Sequence, residues 1–440
     1  MSTVLEKLWP FGKQKKKHRS EVVKYSVPER VYTPVNQLAI GMYIIELDRP
    51  WLESPFPFQG FEIKSEEDIL AVRAVSTYVY VDTTRQIKRR GGNAGSQANF
   101  LDANIDFAPA PPKLSVFEQE IERAEVVHKQ VGCLVSDFME RIARGEGVDT
   151  QAAKAAVAEC VDSILHSPDA FLWLSQLKNK DEYTAQHSLN VCVLSIVLGR
   201  HIGLSVANLN NVGLCGMMHD MGKMLVPLTV LNKPGKLGPD ELEIMRSHTT
   251  LGHKLLKSSQ DMFQGAVYSA LSHHETLDGR GYPNRVNHSQ LPFFTRIVTL
   301  ADIYDAITSD RVYQKGRTHL EATSIITDLS GTQLDERLVI KFIESLGVYP
   351  PGCVVMMTNG AVTIVVEVND QVRLRPKIIM LLDAQRQPVN EKITNLSDMP
   401  LDDMGQLLTI KGIVKAQDYK IDIGKYYQQG LLQKGFARGR

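Results

Sequence analysis

From Leu114 to about Leu346 the apolar residues of this chain recur at intervals of three and four, the period of one helix face. The pattern is clearest over Phe117–Val131, Gln151–Ser167, Thr184–Ile202 and Pro239–Lys257, and it commits the middle of the chain to helices. On either side the pattern changes. Met42–Leu47 and Thr77–Asp82 have strand composition. Between them, Ser65-Glu66-Glu67-Asp68 opens a helix through Ile69, Leu70 and Val72, with Ser65 as N-cap and acids in the first turn. After Gly347, Cys353–Met357 and Val362–Val368 read as a hairpin around Asn359-Gly360 in a type I′ turn. Lys377–Leu382 and Leu407–Ile410 add strands to a small β-barrel-like region. The expected fold is therefore multidomain. It has a basic flexible tail over residues 1–30, a small α+β domain over 31–90 and a Gly- and Pro-rich linker over 91–113. An all-α domain over 114–346 and a small β-rich region over 347–440 complete it.

Composition narrows the partners. Lys plus Arg and Asp plus Glu balance at 50 each, so no global field advertises a nucleic acid polymer or a membrane. The exception is Lys13–Arg19, which follows Leu8-Trp9-Pro10-Phe11. An aromatic tip beside a basic run can touch anionic lipid, and a solvated tail is the plainer reading. No apolar stretch approaches the roughly 18–20 residues of a spanning helix. The five cysteines are scattered and show no CxxC spacing, as expected of buried thiols in the cytoplasm.

Eight of the twelve histidines fall between His187 and His288. A lone histidine such as His187, on a helix face with Val191, Leu194 and Leu198, is more often a hydrogen-bonded core residue than a ligand. His248 alone, one turn before Gly252, invites the same reading. The pairs are harder to explain that way. His219-Asp220 follows the apolar pattern of Val212, Leu214, Cys215 and Met218, and Gly222 suits a helix C-cap. Such a pair can offer one nitrogen and one carboxylate able to bridge two metals. His273-His274 places two imidazoles side by side, which costs desolvation unless an ion satisfies both. Asp302 and Asp305, three apart in the apolar run Ile297–Ala306, share a face, and buried carboxylates need a cation, a metal or strong donors.

Together, His219-Asp220-x-Gly222-Lys223, His273-His274-Glu275-x-x-Asp278-Gly279-x-Gly281-Tyr282-Pro283 and Asp302-x-x-Asp305-Ala306 resemble the HD-GYP subgroup of the HD metal-dependent phosphohydrolases. The resemblance covers roughly Leu114–Leu346, and the N-terminal part looks like the small uncharacterised domain often found before HD-GYP domains. Known members are bacterial phosphodiesterases that hydrolyse cyclic di-GMP. The resemblance implies a bimetal site bridged by Asp220, with His187, His219 and Asp302 completing one ion's protein ligands. His248, His273 and His274 would complete the other's. Some members hold a third metal through a glutamate four residues before the first histidine. Tyr183 stands there in this chain, which favours two. Five imidazoles and two carboxylates without thiolate suit iron or manganese.

By the same resemblance, a metal-bridging hydroxide would attack the phosphodiester, giving pGpG, GMP or both. Lys223 would meet the phosphate at the reacting centre, with a helix-terminal charge as its alternative role. Arg311, in Arg311-Val312-Tyr313, would hold the second phosphate or else pair with Asp310 or Glu321. Gln314 stands where a basic residue is common, and Lys315 is the substitute. Asp278 to Pro283 would form a rigid lip, with Asp278 and Tyr282 facing substrate and Tyr282 stacking on guanine or serving the loop alone. Glu275 and Asp305 would orient imidazoles. A cyclic-dinucleotide receptor or scaffold with little turnover, and a phosphodiesterase for another cyclic dinucleotide, are the competing readings. Diguanylate cyclases and a second copy of the chain are the candidate protein partners.

Overall fold

A computed structural model describes residues 30–48, 61–63, 66–82, 105–107, 115, 117–177, 183–287, 290–310, 315–369, 371–390 and 392–432. Lys13–Arg19, Ser65, Arg311 and Gln314, and all of the expected linker except residues 105–107, lie outside the described residues. The described residues fall into two compact units, 30–82 and 105–432.

The first unit is a four-stranded antiparallel sheet with one helix. The strands are β1 (Arg30–Pro34), β2 (Tyr43–Leu47), β3 (Phe61–Glu62) and β4 (Tyr78–Asp82), in the order β1-β4-β2-β3. Helix α1 (Glu66–Val75) packs Ile69 and Val72 against Ile44, Leu47, Ile63, Val79 and Val81. Alternation in β4 sends Val79 and Val81 into this core while Tyr78 and Tyr80 stay partly exposed.

The second unit is built on helices α2 (Phe117–Ala143), α3 (Thr150–His166), α4 (Pro168–Ser175), α5 (Tyr183–His201) and α6 (Val206–Met218). A 3-10 turn (Met221–Leu225) follows, then α7 (Leu228–Leu231), α8 (Pro239–Arg246), α9 (His248–Ser258) and α10 (Gln264–Ser272). Helices α11 (Phe293–Thr308), α12 (His319–Leu329) and α13 (Glu336–Leu346) complete the bundle. Several ends are sequence-coded. Asp149 accepts from the amide of Ala152, Ser205 from that of Asn208, and Thr318 with Glu321 closes a capping box. Helix α11 is buried from Phe294 to Ile307 except at Arg296, so it runs through the centre and carries Asp302 and Asp305 with it.

The expected segment Pro239–Lys257 is two helices, α8 and α9, broken at Ser247. The carbonyls of Glu243 and Ile244 are closed by the Ser247 amide, and His248 starts the next helix.

The C-terminal part is an open five-stranded antiparallel sheet, not a barrel. Its strands are β5 (Val354–Met357), β6 (Val362–Glu367), β7 (Lys377–Leu382), β8 (Ile393–Asn395) and β9 (Ile410–Ile413). The order β8-β7-β6-β5-β9 leaves two edges. Leu407 contributes only an isolated bridge to Leu401, and the last strand begins at Ile410. The hairpin at Asn359-Gly360 is present, but its turn has three residues. Met357 N donates to Ala361 O, and only Gly360 takes a positive φ, which excludes type I′.

One face of this sheet (Val354, Val362, Ile364, Val366, Ile379 and Leu381) joins the helical core, and the other (Val355, Met357, Val365 and Ile378) closes a smaller one. A last helix, α14 (Ile423–Gln428), sets Tyr427 against buried Trp173, ring centroids 5.3 Å apart. Lys377 Nζ meets Glu118 Oε1 of α2 at 3.1 Å and Glu367 Oε2 at 2.8 Å. The change at residue 347 is thus one of secondary structure, while the packing continues across it.

Candidate metal centre

Five pieces of the helical core converge on one buried spot. His187 sits in the second turn of α5. His219 caps the C-terminal end of α6, and Asp220, at φ −107° and ψ 6°, turns the chain into the 3-10 segment. A Cβ on Gly216 would lie 2.9 Å from Cys192 Cα, so glycine lets α6 lie against α5 and brings the His219 ring to 5.2 Å from that of His187. Gly222 was expected as a helix C-cap, yet it has no positive φ. Its Cβ would lie 2.0 Å from His248 O and 2.4 Å from Gly252 N, so its role is close approach to α9. His273 and His274 follow the end of α10, where Thr299 Oγ1 donates to His273 O at 2.8 Å.

The side chains form two groups, His187–His219–Asp302 and Asp220–His248–His273–His274, with donor atoms in each lying within 4.8 Å of one another. Asp220 faces both. Its Oδ2 lies 3.4 Å from His187 Nε2 and 3.3 Å from His219 Nε2, while its Oδ1 lies 3.4 Å from His248 Nε2 and 3.6 Å from His273 Nε2. Asp302 Oδ1 is 3.1 Å from His187 Nε2. All seven residues are buried.

Hydrogen bonding decides which nitrogen each ring turns inward. His219 Nδ1 donates to Gly216 O at 2.7 Å, His248 Nδ1 to Met245 O at 2.7 Å, and His273 Nδ1 to Ser269 O at 3.0 Å. A carbonyl only accepts, so Nδ1 carries the hydrogen and a neutral ring presents the Nε2 lone pair to the centre. The Nε2 atoms of His248 and His273 face each other at 3.3 Å. His219 Nε2, Asp220 Oδ1 and Asp302 Oδ2 are buried with no hydrogen-bond partner among the described residues. Converging lone pairs and unsatisfied carboxylate oxygens fit a cation and little else.

Electrostatics agree. Burial pushes His248 down to about 3 and His274 well below the ordinary imidazole range, so both are neutral donors. Burial also opposes charge on Asp220, but Lys223 and the His219 and His187 rings hold it ionised. Burial lowers His187 as well, yet the carboxylates of Asp220, Asp302 and Asp305 outweigh it and hold the ring well above its usual range. Three carboxylates around one imidazole make a site that demands positive charge.

The surrounding residues divide. Asp305 Oδ2 accepts from His187 Nδ1 at 2.7 Å. Glu275, expected to orient an imidazole, turns away and accepts the amides of Asn284 at 2.6 Å, Arg285 at 2.9 Å and Val286 at 3.2 Å. The reason is the lip's return: a Cβ on Gly281 would lie 2.3 Å from Glu275 Cα, so the loop closes on that carboxylate. Asp278 also serves the loop, accepting from Thr276 Oγ1 at 2.6 Å and Arg280 N at 3.1 Å. Tyr282 sets its ring 4.7 Å from that of His274, with the Arg246 guanidinium 5.0 Å over it. Lys223 Nζ pairs with Asp220 Oδ2 and remains about a quarter exposed, at 24%. Lys315 is exposed, and Arg311 lies outside the described residues. Asn190, absent from the sequence reading, donates Nδ2 to Asp305 Oδ1 at 2.8 Å. Its position, three after His187 on one helix, was the available signal.

Among the described residues no helix is long and apolar enough to cross a membrane. A family model described as an HD domain matches residues 173–338, and one described as a domain of unknown function (DUF3391) matches residues 31–153. A cyclic di-GMP phosphodiesterase of Pseudomonas aeruginosa is 33% identical over 366 residues, covering 82% of this chain and 88% of that protein. A cyclic di-GMP phosphodiesterase of Thermotoga maritima is 35% identical over 166 residues, 38% of this chain and 45% of that protein. A 3'3'-cGAMP-specific phosphodiesterase of Vibrio cholerae is 32% identical over 171 residues, 39% of this chain and 37% of that protein.

Proposed function

Because the chain belongs to the HD-GYP family of metal-dependent phosphohydrolases, we propose that it is a phosphodiesterase that hydrolyses cyclic di-GMP to pGpG, GMP or both. One observation carries the reading. Asp220 turns one carboxylate oxygen to each of two ligand groups, an arrangement suited to two neighbouring ions and a shared water. His187, His219 and Asp302 would hold one ion and His248, His273 and His274 the other, with Asp220 between them. Two divalent cations there would supply Lewis acidity toward a phosphoryl oxygen and acidify a water. Nitrogen and oxygen donors without thiolate favour iron or manganese.

The protein's own groups do the rest. The rings of His219, His248 and His273, with Nδ1 tied to carbonyls, keep Nε2 aimed inward without rearrangement. Lys223, at the rim of the centre, offsets the charge of Asp220 and offers a cation to the reacting phosphate. Arg311 and Lys315 are assigned to the second phosphate from the Arg-x-Tyr pattern. Tyr282, beside His274, offers an aromatic edge to a guanine. Asp278 acts on substrate only through the shape of the loop it holds.

The test is anaerobic reconstitution with iron or manganese, then product analysis after incubation with cyclic di-GMP. Linear products from the wild type and none from Asp220→Ala are expected. Binding without product overturns the enzyme reading, and faster turnover of 3'3'-cGAMP overturns the assigned substrate.

A further inference from the structure

We infer that Asn190 and Gln186 are positioning residues for the His187 half of the centre, through a hydrogen-bond relay that runs from helix α2 to Asp305. The inference rests on the two-ion reading of the site. Asp305 Oδ2 accepts from His187 Nδ1, which leaves Nε2 aimed at Asp220 and Asp302. The other oxygen of Asp305 is pinned as well. Asn190 Nδ2 donates to Oδ1 at 2.8 Å and Ser309 Oγ at 3.2 Å, so the carboxylate cannot rotate without breaking bonds.

Asn190 is in turn oriented. Gln186 Nε2 donates to Asn190 Oδ1 at 2.8 Å, which obliges the amide of Asn190 to turn its NH2 toward Asp305. The Gln186 nitrogen also lies 3.5 Å from His128 Nε2 on α2. Burial lowers His128 to about 4, so its ring is neutral near pH 7 and can accept. From Gln186 onward the hydrogens point toward Asp305, Gln186 donating to Asn190 and Asn190 to Asp305, while the second amide hydrogen of Gln186 turns back to His128 and the imidazole hydrogen of His187 meets Asp305 from the other end. Asn190 is 5% exposed, and water cannot replace its amide without opening the core.

Groups that hold a ligand's outer nitrogen commonly change metal affinity by roughly 10–100-fold when removed. The experiment titrates Mn²⁺ into metal-free, full-length protein, counts ions per chain and measures the affinity of each. Asn190→Ala and Asn190→Asp, the latter keeping the shape but losing the donor, are each expected to weaken one ion by roughly 10–100-fold and spare the other. Gln186→Met is expected to act in the same direction with a smaller loss, and it carries the test if Asn190 variants fail to fold. Asn190→Ala added to Asp305→Ala should cost little more than Asp305→Ala alone, because both break one network. Thermal unfolding of the metal-free proteins separates lost structure from lost positioning. Wild-type binding of both ions in Asn190→Asp overturns the inference, as does equal weakening of both. A wild type that holds no ions overturns the two-ion reading and the inference with it.

Discussion

Three rings of the centre, His219, His248 and His273, give their Nδ1 hydrogens to main-chain carbonyls three or four residues back, within α6 and α10 for His219 and His273 and near the end of α8 for His248. A fourth, His187, reaches across 118 positions to the carboxylate of Asp305. The first kind of support comes from the main chain and needs no particular side chain at Met245 or Ser269, although at Gly216 only glycine leaves room for α5. The second depends on Asp305 and on whatever keeps Asp305 still. His319 supplies a control. Its Nε2 donates to Gly347 O at 3.0 Å and its Nδ1 accepts from Tyr304 Oη at 2.8 Å, so both nitrogens are occupied and neither is left for an ion. An imidazole becomes a candidate ligand here when one nitrogen is tied down and the other is not.

The backbone-supported rings should lose their aim only when backbone moves. Gly222→Ala puts a methyl against the His248 carbonyl and the Gly252 amide, neither of which is a flexible side-chain end. We expect a loss of at least ~3 kcal/mol, with α9 displaced and hydrolysis abolished. A thermal midpoint near that of the wild type would refute this. Asp305→Ala strikes the carboxylate-supported ring. One ion should weaken by roughly 10–100-fold, and stability should fall by about 1–3 kcal/mol as the Asn190 amide loses its acceptor. Equilibrium dialysis and melting curves read these separately.

The control predicts a pH dependence. Burial holds His319 at about 4, below the ordinary 6.5. The unfolded chain therefore takes up the proton first as pH falls. The stabilisation is complete above pH 6.5 and is lost between 6.5 and about 4, on the order of 3 kcal/mol. Melting curves across that range should be flatter for His319→Asn than for the wild type, and an unchanged slope would count against a neutral His319. The smallest effect belongs to Met245→Ala. It keeps the carbonyl that His248 uses, so both ions should bind as in the wild type at a cost below ~2 kcal/mol. Weakened binding there would collapse the distinction between the two kinds of support.

Much of this was readable in advance because adjacent residues carried it. His219-Asp220 and His273-His274 are conspicuous in one dimension, and the helical period of the surrounding residues placed them in a core. Asp302 and Asp305 could be assigned to one helix face for the same reason. What escaped the reading depends on chain segments meeting in space. Gly222 looked like a cap because its neighbours across the gap, His248 and Gly252, were invisible. Glu275 looked like a partner for an imidazole because nothing revealed that the loop beyond Pro283 returns three amides to it. Gln186 and Asn190 belong to no motif and stand on a helix whose sequence is dominated by apolar positions such as Val191 and Leu194. The hairpin turn was misread because Asn-Gly suits type I′, whereas the register here inserts a third residue.

The match over residues 31–153 does not stop where the first compact unit stops. It extends through α2, whose Phe117, Ile121, Val131 and Phe138 belong to the helical core and whose His128 touches Gln186. Exchanging front ends between relatives at the edge of that match would therefore transplant foreign side chains into the wall behind an imidazole. A seam placed before residue 115 would leave that wall native. Inherited segments and packed bodies are cut along different lines in this chain, and a chimera designed from sequence matches alone would be sewn through its own active core.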